Sequence, residues 1–182
     1  NSVNPFRLHG QKTIAFEVLD QLGGVPDFHA LPVGNAGNIT AHWMGYSEAS
    51  GMRTKIFENP SLNQIINKPI SDSRPTILGY QASGAAPFLR GEKIDNPETI
   101  ATAIRIGSPV SWQYAWSAQE ESGGWFDECS DSLILSTQKL LAEKEGIFCE
   151  PASAVSVAGV LRDLENGKIA TNSTIVCTLT GH

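Results

Sequence analysis

Residues 32–40 read Pro32-Val33-Gly34-Asn35-Ala36-Gly37-Asn38-Ile39-Thr40, and this stretch sits where a strand hands over to a helix. Upstream, Phe28 to Val33 is a short apolar run bounded by Pro26-Asp27 and Gly34, the pattern of a buried strand. Downstream, Ile39 to Ala49 reads as a helix. The two glycines let successive N–H groups turn toward one point, and a helix N-terminus adds its free donors and positive dipole end. The stretch therefore predicts an anion cradle, with a tight strand–helix turn capped by Asn as the plain alternative. No Gly-Lys-Ser/Thr follows, so it is not a P-loop. The lack of Gly-x-Gly-x-x-Gly sets aside a dinucleotide fold.

The rest of the chain repeats the alternation. A helix opens at Gly10-Gln11-Lys12, carries Ile14, Ala15, Val18, Leu19 and Leu22 on one face, and ends at Gly23-Gly24. Residues 52–75 have no period and read as an irregular loop insertion with one short helix. Thr76 to Tyr80 is the next strand, followed by a small-residue loop from Gln81 to Pro87. Asn96-Pro97-Glu98 starts a helix over Thr99 to Ile106, and Ser111 caps another through Glu121. Asp131 caps a third with Leu133, Ile134, Thr137, Leu140 and Leu141 inward. Pro151 opens a fourth with Ala154, Val157, Ala158, Leu161 and Leu164 inward, and Ser173 to Leu179 is a last strand. Strands separated by helices imply an α/β fold: an open, mainly parallel twisted sheet with helices on both faces. Residues 1–182 are expected to form a single domain.

Composition narrows the function. Thirteen Lys and Arg against nineteen Asp and Glu leave a net charge of -6, which argues against a nucleic-acid partner. Residues 1–91 hold seven basic and six acidic groups, and 92–182 hold six and thirteen, so a small anion is better received by the first half. No apolar run approaches a membrane span. The three cysteines, Cys129, Cys149 and Cys177, show no paired spacing with each other or with the four histidines. They read as small buried hydrophobes without disulfide or metal, with the cytoplasm as the expected compartment. The chain begins at Asn1 rather than Met, so it is expected to be a piece of something longer, truncated at both ends.

Two further clusters carry chemistry. Asn1-Ser2-Val3-Asn4-Pro5-Phe6-Arg7 packs amide, hydroxyl and guanidinium groups that could hold a second phosphate, or it is a polar lead-in to the helix. Cys177-Thr178-Leu179-Thr180-Gly181-His182 ends the chain. In an open parallel sheet, Thr180 and the Gly34–Asn38 loop would share the edge where ligands sit; an ordinary strand end is the alternative.

Taken together, NSVNPFRLHGQKT, LPVGNAGNITAHWMGY, GYQASGAAP, PETIATAIRIGSPVSW, EGIFCEPASA and CTLTGH resemble the threonine synthases, pyridoxal-phosphate enzymes of the tryptophan-synthase-β-like fold. The resemblance spans the chain and departs mainly at 52–75. It implies that Gly34, Asn35, Ala36, Gly37 and Asn38 cradle the phosphate of pyridoxal 5'-phosphate and that Thr180 meets its pyridine nitrogen. It implies that Asn1, Ser2 and Arg7 receive the phosphate of the small-molecule substrate O-phosphohomoserine, with Asn35 shared. Gln81 to Gly84 and Glu150 would be wall residues. The chain would be roughly the second half of the enzyme, mostly its larger domain, and the whole enzyme a homodimer.

The resemblance also implies something missing. The family holds its cofactor on a lysine in a Ser-Phe-Lys-Asp type motif, and none of the seven lysines here (12, 55, 68, 93, 139, 144, 168) lies in one; they read as loop or solvated-helix residues. So no catalytic residue is assigned, and the isolated chain is expected to be inactive. A sibling lyase resembling threonine dehydratase, or a non-catalytic module for phosphate or pyridoxal phosphate, stays as the alternative.

Overall fold

Four parallel strands form the sheet: β1 (Phe28–Pro32), β2 (Thr76–Ala82), β3 (Trp125–Cys129) and β4 (Ile175–Cys177), in the order β3-β2-β1-β4. They come from a computed structural model that describes residues 2–66 and 68–182. Successive side chains leave a strand on opposite faces, and here both faces are covered. Leu31, Ile77 and Phe126 face a core built with α1 (Pro5–Gln11), α2 (Thr13–Leu22), α3 (Gly37–Ser50), the short α4 (Pro87–Arg90) through Phe88, and α5 (Trp112–Ser122). Ala30, Leu78, Tyr80 and Cys129 face a second core under α6 (Asp131–Glu145) and α7 (Pro151–Glu165). Two covered faces explain why the central strands read as unbroken apolar runs. The expected α/β class, with helices on both faces, holds, and among the described residues the three strand pairs of the sheet are all parallel.

The topology fixes where a ligand can sit. The chain runs from β1 outward to β2 and β3, then returns to place β4 on the other side of β1. The winding reverses between β1 and β4, and a crevice opens at the carboxyl ends of strands at such a point. The residues after β1 are Gly34 to Asn38, and those after β4 are Thr178 to Thr180.

α3 is the spine of the first core. Every residue of it except Asn38 is buried, polar ones included. Such a helix needs an internal partner for each polar group. Trp43 Nε1 donates to Glu121 (2.7 Å), Ser47 Oγ accepts from Arg74 (2.9 Å), and Glu48 accepts from Lys12 Nζ (2.5 Å). Glu48 also accepts from the Ile65 and Ile66 N–H groups, which ties the irregular stretch after α3 to the core. Lys12 thus overturns the reading of the lysines as solvated: it is 4% exposed and paired inside.

Several elements differ from expectation, each for a local reason. The first helix begins at Pro5, because Asn4 Oδ1 caps it through the Phe6 and Arg7 N–H groups, and Lys12 separates it from α2. The stretch 52–75 holds two 3-10 turns, Lys55–Glu58 and Pro60–Leu62, rather than one short helix. β2 runs on through Gln81 and Ala82 where a loop is predicted. No helix forms over Thr99 to Ile106, where only a 3-10 turn, Thr102–Ile104, is present. Its β-branched residues disfavour helix, and its neighbours are held elsewhere: Glu98 N–H by Gly84 O, and Thr99 Oγ1 and Ile100 N–H by Asp131. That use of Asp131 leaves Ser130 to cap α6. β3 escapes the pattern because it is an edge strand with Asp127 and Glu128 in its middle. On α7 Ala154 and Ala158 are buried as expected and Val157 and Leu164 pack half-buried against the same core, but Leu161 is exposed and the buried face takes in Ala152, Val155, Ser156, Gly159 and Asp163 as well.

That last face shows why small residues were needed. Tyr80 lies flat against Gly159, where any Cβ would overlap its ring, and its hydroxyl donates to buried Asp163 (2.7 Å). Asp163 also accepts from Trp125 Nε1 (2.9 Å), so α7 is locked to β2 and β3. Gly159→Ala is expected to cost about 2 kcal/mol or more by overpacking. Urea unfolding of the variant checks this, and an unchanged midpoint would refute the contact.

Candidate functional site

The crevice at the winding reversal is a cleft of about 640 Å3, lined by Ser2, Arg7, Gln11, Gly34 to Asn38, His42, Glu150 and Thr178 to Thr180 among others. Apart from Asn1, which lies outside the described residues, every residue predicted for cofactor or substrate lines it. They come from α1, the β1–α3 loop and the chain after β4, far apart in sequence.

The loop leaves a run of backbone donors open among the described residues. Ala36 has φ 66°, a left-handed conformation rare for a residue with a Cβ. It turns the chain sharply into α3. Among the described residues, none of the six backbone N–H groups from Gly34 to Ile39 has a protein acceptor, although Gly34, Ala36, Gly37 and Ile39 are buried. Buried donors are nearly always paired, so six open N–H groups in a row at a helix N-terminus, four of them in buried residues, have the donor pattern of an anion nest. The glycines are there for proximity: a Cβ on Gly34 would crowd the Ile104 backbone at 3.1 Å, and one on Gly37 would sit 3.0 Å from Ser2 Cβ. A phosphate group, with its several acceptor oxygens, fits this donor set.

The opening segment is pressed against the loop, and Ser111 staples the two together. Its Oγ donates to Ser2 O (3.0 Å) and its N–H to Asn35 O (3.1 Å). Ser111 was read as a helix cap; the structure gives it no capping bond and uses it as this brace. Arg7 is exposed on α1 at the rim. Gln11, one turn further, has a buried Oε1 without a hydrogen-bond partner. It lines the same cleft, whereas the sequence marks it only as part of the helix start. Gln81 does not line the cleft. It is fully buried, donating to Val33 O (3.3 Å) and accepting from Phe88 N–H (3.0 Å), so it props the loop from behind.

On the β4 side the bonds define Thr180. Ser153 Oγ accepts from the N–H groups of Thr180 and Gly181, both at 2.9 Å. A hydroxyl has two lone pairs and one proton, so with both lone pairs used Ser153 shares its single proton between Thr180 Oγ1 (3.0 Å) and Gly181 O (3.2 Å), and Thr180 Oγ1 accepts in that contact. The Thr180 proton is then free to be donated into the cleft.

Beneath the loop lie His29 and His42, 0% and 2% exposed. Burial pushes His42 down to about 4, the Asn38 carbonyl opposing, and lowers His29 as well, with His42 adding repulsion. The cysteines are free; Cys129 and Cys149 are buried and Cys177 half-buried, and burial pushes Cys129 and Cys177 up to about 12. Among the described residues, no cluster of His, Cys, Asp and Glu is placed to hold a metal ion, and no helix is long and apolar enough to cross a membrane. No lysine is among the residues lining the cleft.

Comparison with known proteins gives the cleft a family. Residues 1–181 match the family model described as pyridoxal-phosphate dependent enzyme. The chain belongs to that family. Its full length is 52% identical to threonine synthase of Mycobacterium tuberculosis and 48% identical to that of Synechocystis, covering 46% and 43% of those proteins. The threonine synthase of Methanocaldococcus jannaschii is 50% identical over 191 residues, 43% of its length. The chain thus spans less than half the length of these curated relatives. Among solved structures, threonine deaminase isoform 2 of Solanum lycopersicum superposes with TM-score 0.70 at 21% identity, over 96% of this chain and 42% of that one. Maize serine racemase gives 0.66 at 19%, over 96% and 48%. These share the fold. The family's cofactor is pyridoxal phosphate, and the six unpaired N–H groups fit its phosphate.

The buried histidines make stability depend on acid. With a folded pKa near 4 against an ordinary 6.5, His42 binds more protons unfolded than folded between those values. Its contribution is complete above about pH 6.5 and is lost as pH falls toward 4; His29 acts in the same direction. Urea midpoints are expected to drop between pH 7 and 5, and His42→Gln to flatten part of that drop. An identical slope in the variant would contradict the assignment.

Proposed function

We propose that this chain is the phosphate-holding part of a threonine synthase, which converts O-phosphohomoserine and water to threonine and phosphate. The observation that carries the reading is the run of six unpaired N–H groups from Gly34 to Ile39 in a cleft shared with Ser2, Arg7 and Thr180. Gly34, Asn35, Ala36, Gly37 and Asn38 hold the cofactor phosphate. Asn1, Ser2 and Arg7 take the substrate phosphate, with Asn35 between the two. Ser111, tied to both Ser2 and Asn35, keeps the two phosphate sites at a fixed spacing. The cleft-facing phosphate wall supports a phosphorylated substrate over that of a sibling lyase, which has no use for Arg7 there. The curated relatives named threonine synthase support the same choice.

When bound, pyridoxal phosphate supplies an electron sink for the substrate α-carbon, supporting loss of phosphate from the γ-carbon and addition of water at the β-carbon. The chain's own residues bind and orient. Neutral donors of the loop meet the cofactor phosphate dianion without a counter-cation, so the grip is directional. Arg7 supplies charge on the substrate side, where a guanidinium fork matches phosphate geometry. Thr180, its proton free, offers a neutral donor to the pyridine nitrogen and does not demand that the ring be protonated. We take the chain as one domain of a longer, homodimeric cytoplasmic enzyme.

Since no lysine lines the cleft, the chain by itself is expected to bind but not to turn over substrate. Pyridoxal phosphate and inorganic phosphate are titrated separately into the purified chain. Gly37→Val, which pushes a side chain toward Ser2, is expected to weaken both by about tenfold or more, the worth of charge-assisted hydrogen bonds. Undiminished binding by the variant would remove the loop from the site. Arg7→Ala, made in the complete enzyme, is expected to raise KM for O-phosphohomoserine about tenfold with cofactor affinity unchanged. Threonine formation by the 182-residue chain alone would overturn the claim that it lacks the reactive group.

A further inference from the structure

Four side chains beside the cleft have no part in the binding scheme above: Tyr46, His29 and His42, which are buried, and Thr178, which is half-buried. They form one chain of contacts. Tyr46 Oη is 2.8 Å from His29 Nδ1, and His29 Nε2 is 2.7 Å from Thr178 Oγ1. Thr178 Oγ1 is 3.4 Å from His42 Nε2, and His42 Nδ1 is 2.8 Å from the carbonyl oxygen of Asn38. The chain therefore begins in the core and ends on the anion loop.

Its direction follows from the last contact. A carbonyl only accepts, so His42 carries its proton on Nδ1. Buried His42 is neutral, which leaves Nε2 a bare acceptor, and Thr178 must donate to it. Thr178 has one proton, now used, so its oxygen accepts from His29 Nε2–H. His29 is neutral too, its Nδ1 is bare, and the Tyr46 hydroxyl donates there. Each donor is used once and every dipole points the same way. The last acceptor, Asn38 C=O, shares a peptide unit with the Ile39 N–H, one of the six donors without a protein partner. Hydrogen bonds to a peptide oxygen polarise the N–H of the same unit, and linked bonds reinforce one another.

We propose that Tyr46, His29, Thr178 and His42 form an uncharged hydrogen-bond wire that strengthens the Gly34–Ile39 cradle's hold on a phosphate group, making Thr178 and His42 positioning residues. This rests on the reading of that loop as a phosphate site. The wire contributes dipole without net charge, so it assists an anion while adding no buried ion that would need its own partner. It also joins the two sides of the cleft, because Thr178 stands two residues before Thr180.

The test has two arms on the purified chain. Nitrogen-15 NMR of the unaltered protein at pH 7 is expected to show His42 protonated on Nδ1 and His29 on Nε2; the opposite tautomer at either ring overturns the wire. The second arm measures inorganic phosphate affinity in three variants. Thr178→Val cuts the wire and is expected to weaken phosphate about fivefold, the worth of one ordinary hydrogen bond, while Thr178→Ser stays within about twofold of the parent. Tyr46→Phe removes the first donor from a fully buried residue that does not line the cleft, and is expected to weaken phosphate about twofold and move the Ile39 amide proton upfield. Parent-like affinity in both Thr178→Val and Tyr46→Phe refutes the proposal. A parent chain that binds no phosphate at all refutes the cradle itself and the wire with it.

Discussion

The burial of α3 around its whole circumference governs the rest of the molecule. A helix that meets protein on every side has no solvent to satisfy Trp43, Ser47, Glu48 or His42, so each partner must be brought to it. Lys12 comes from the junction of α1 and α2, Glu121 from the end of α5, Arg74 from the approach to β2. Removing one member of such a buried set leaves the other unpaired, which is the costly outcome. The same constraint fixes the helix N-terminus, since a spine that cannot shift presents its free donors at one place.

The site is then a result of topology more than of any motif. The β1–α3 loop and the end of β4 are some 140 residues apart in sequence, and only the reversal of strand order between β1 and β4 makes them neighbours. α1 closes the third side because Asn4 starts a helix early enough to hold Ser2 and Arg7 against the loop.

Much of this was legible in the residues. The glycine–asparagine loop announced the strand–helix unit, and the structure places that loop in the cleft at the winding reversal. The alternation of apolar runs with helical periods announced the covered parallel sheet. What stayed hidden depended on long-range partners. β3 carries acids at its centre and declares itself only by pairing with β2. The helix expected at Thr99 fails because Asp131, thirty-odd residues on, claims the groups that would have begun it. Lys12 looked like a surface lysine because nothing local reveals Glu48. Ser111 reads locally as a helix cap, and His42 as one of four histidines without metal-ligand spacing, whereas the partners Ser2, Asn35 and Thr178 lie on other segments.

Ser111 has one more consequence. The residue after it, Trp112, stacks on Phe88 (ring centroids 4.6 Å apart), which stacks in turn on Phe126 (4.4 Å), with Trp116 packed against the same group. Ser111 itself is bonded to Ser2 on the opening segment and to Asn35 on the β1–α3 loop. Any settling of those segments around an anion pulls on the edge of an indole cluster. The molecule therefore carries its own optical gauge: two of its four tryptophans are coupled through a single serine to the place where a ligand's charge would land.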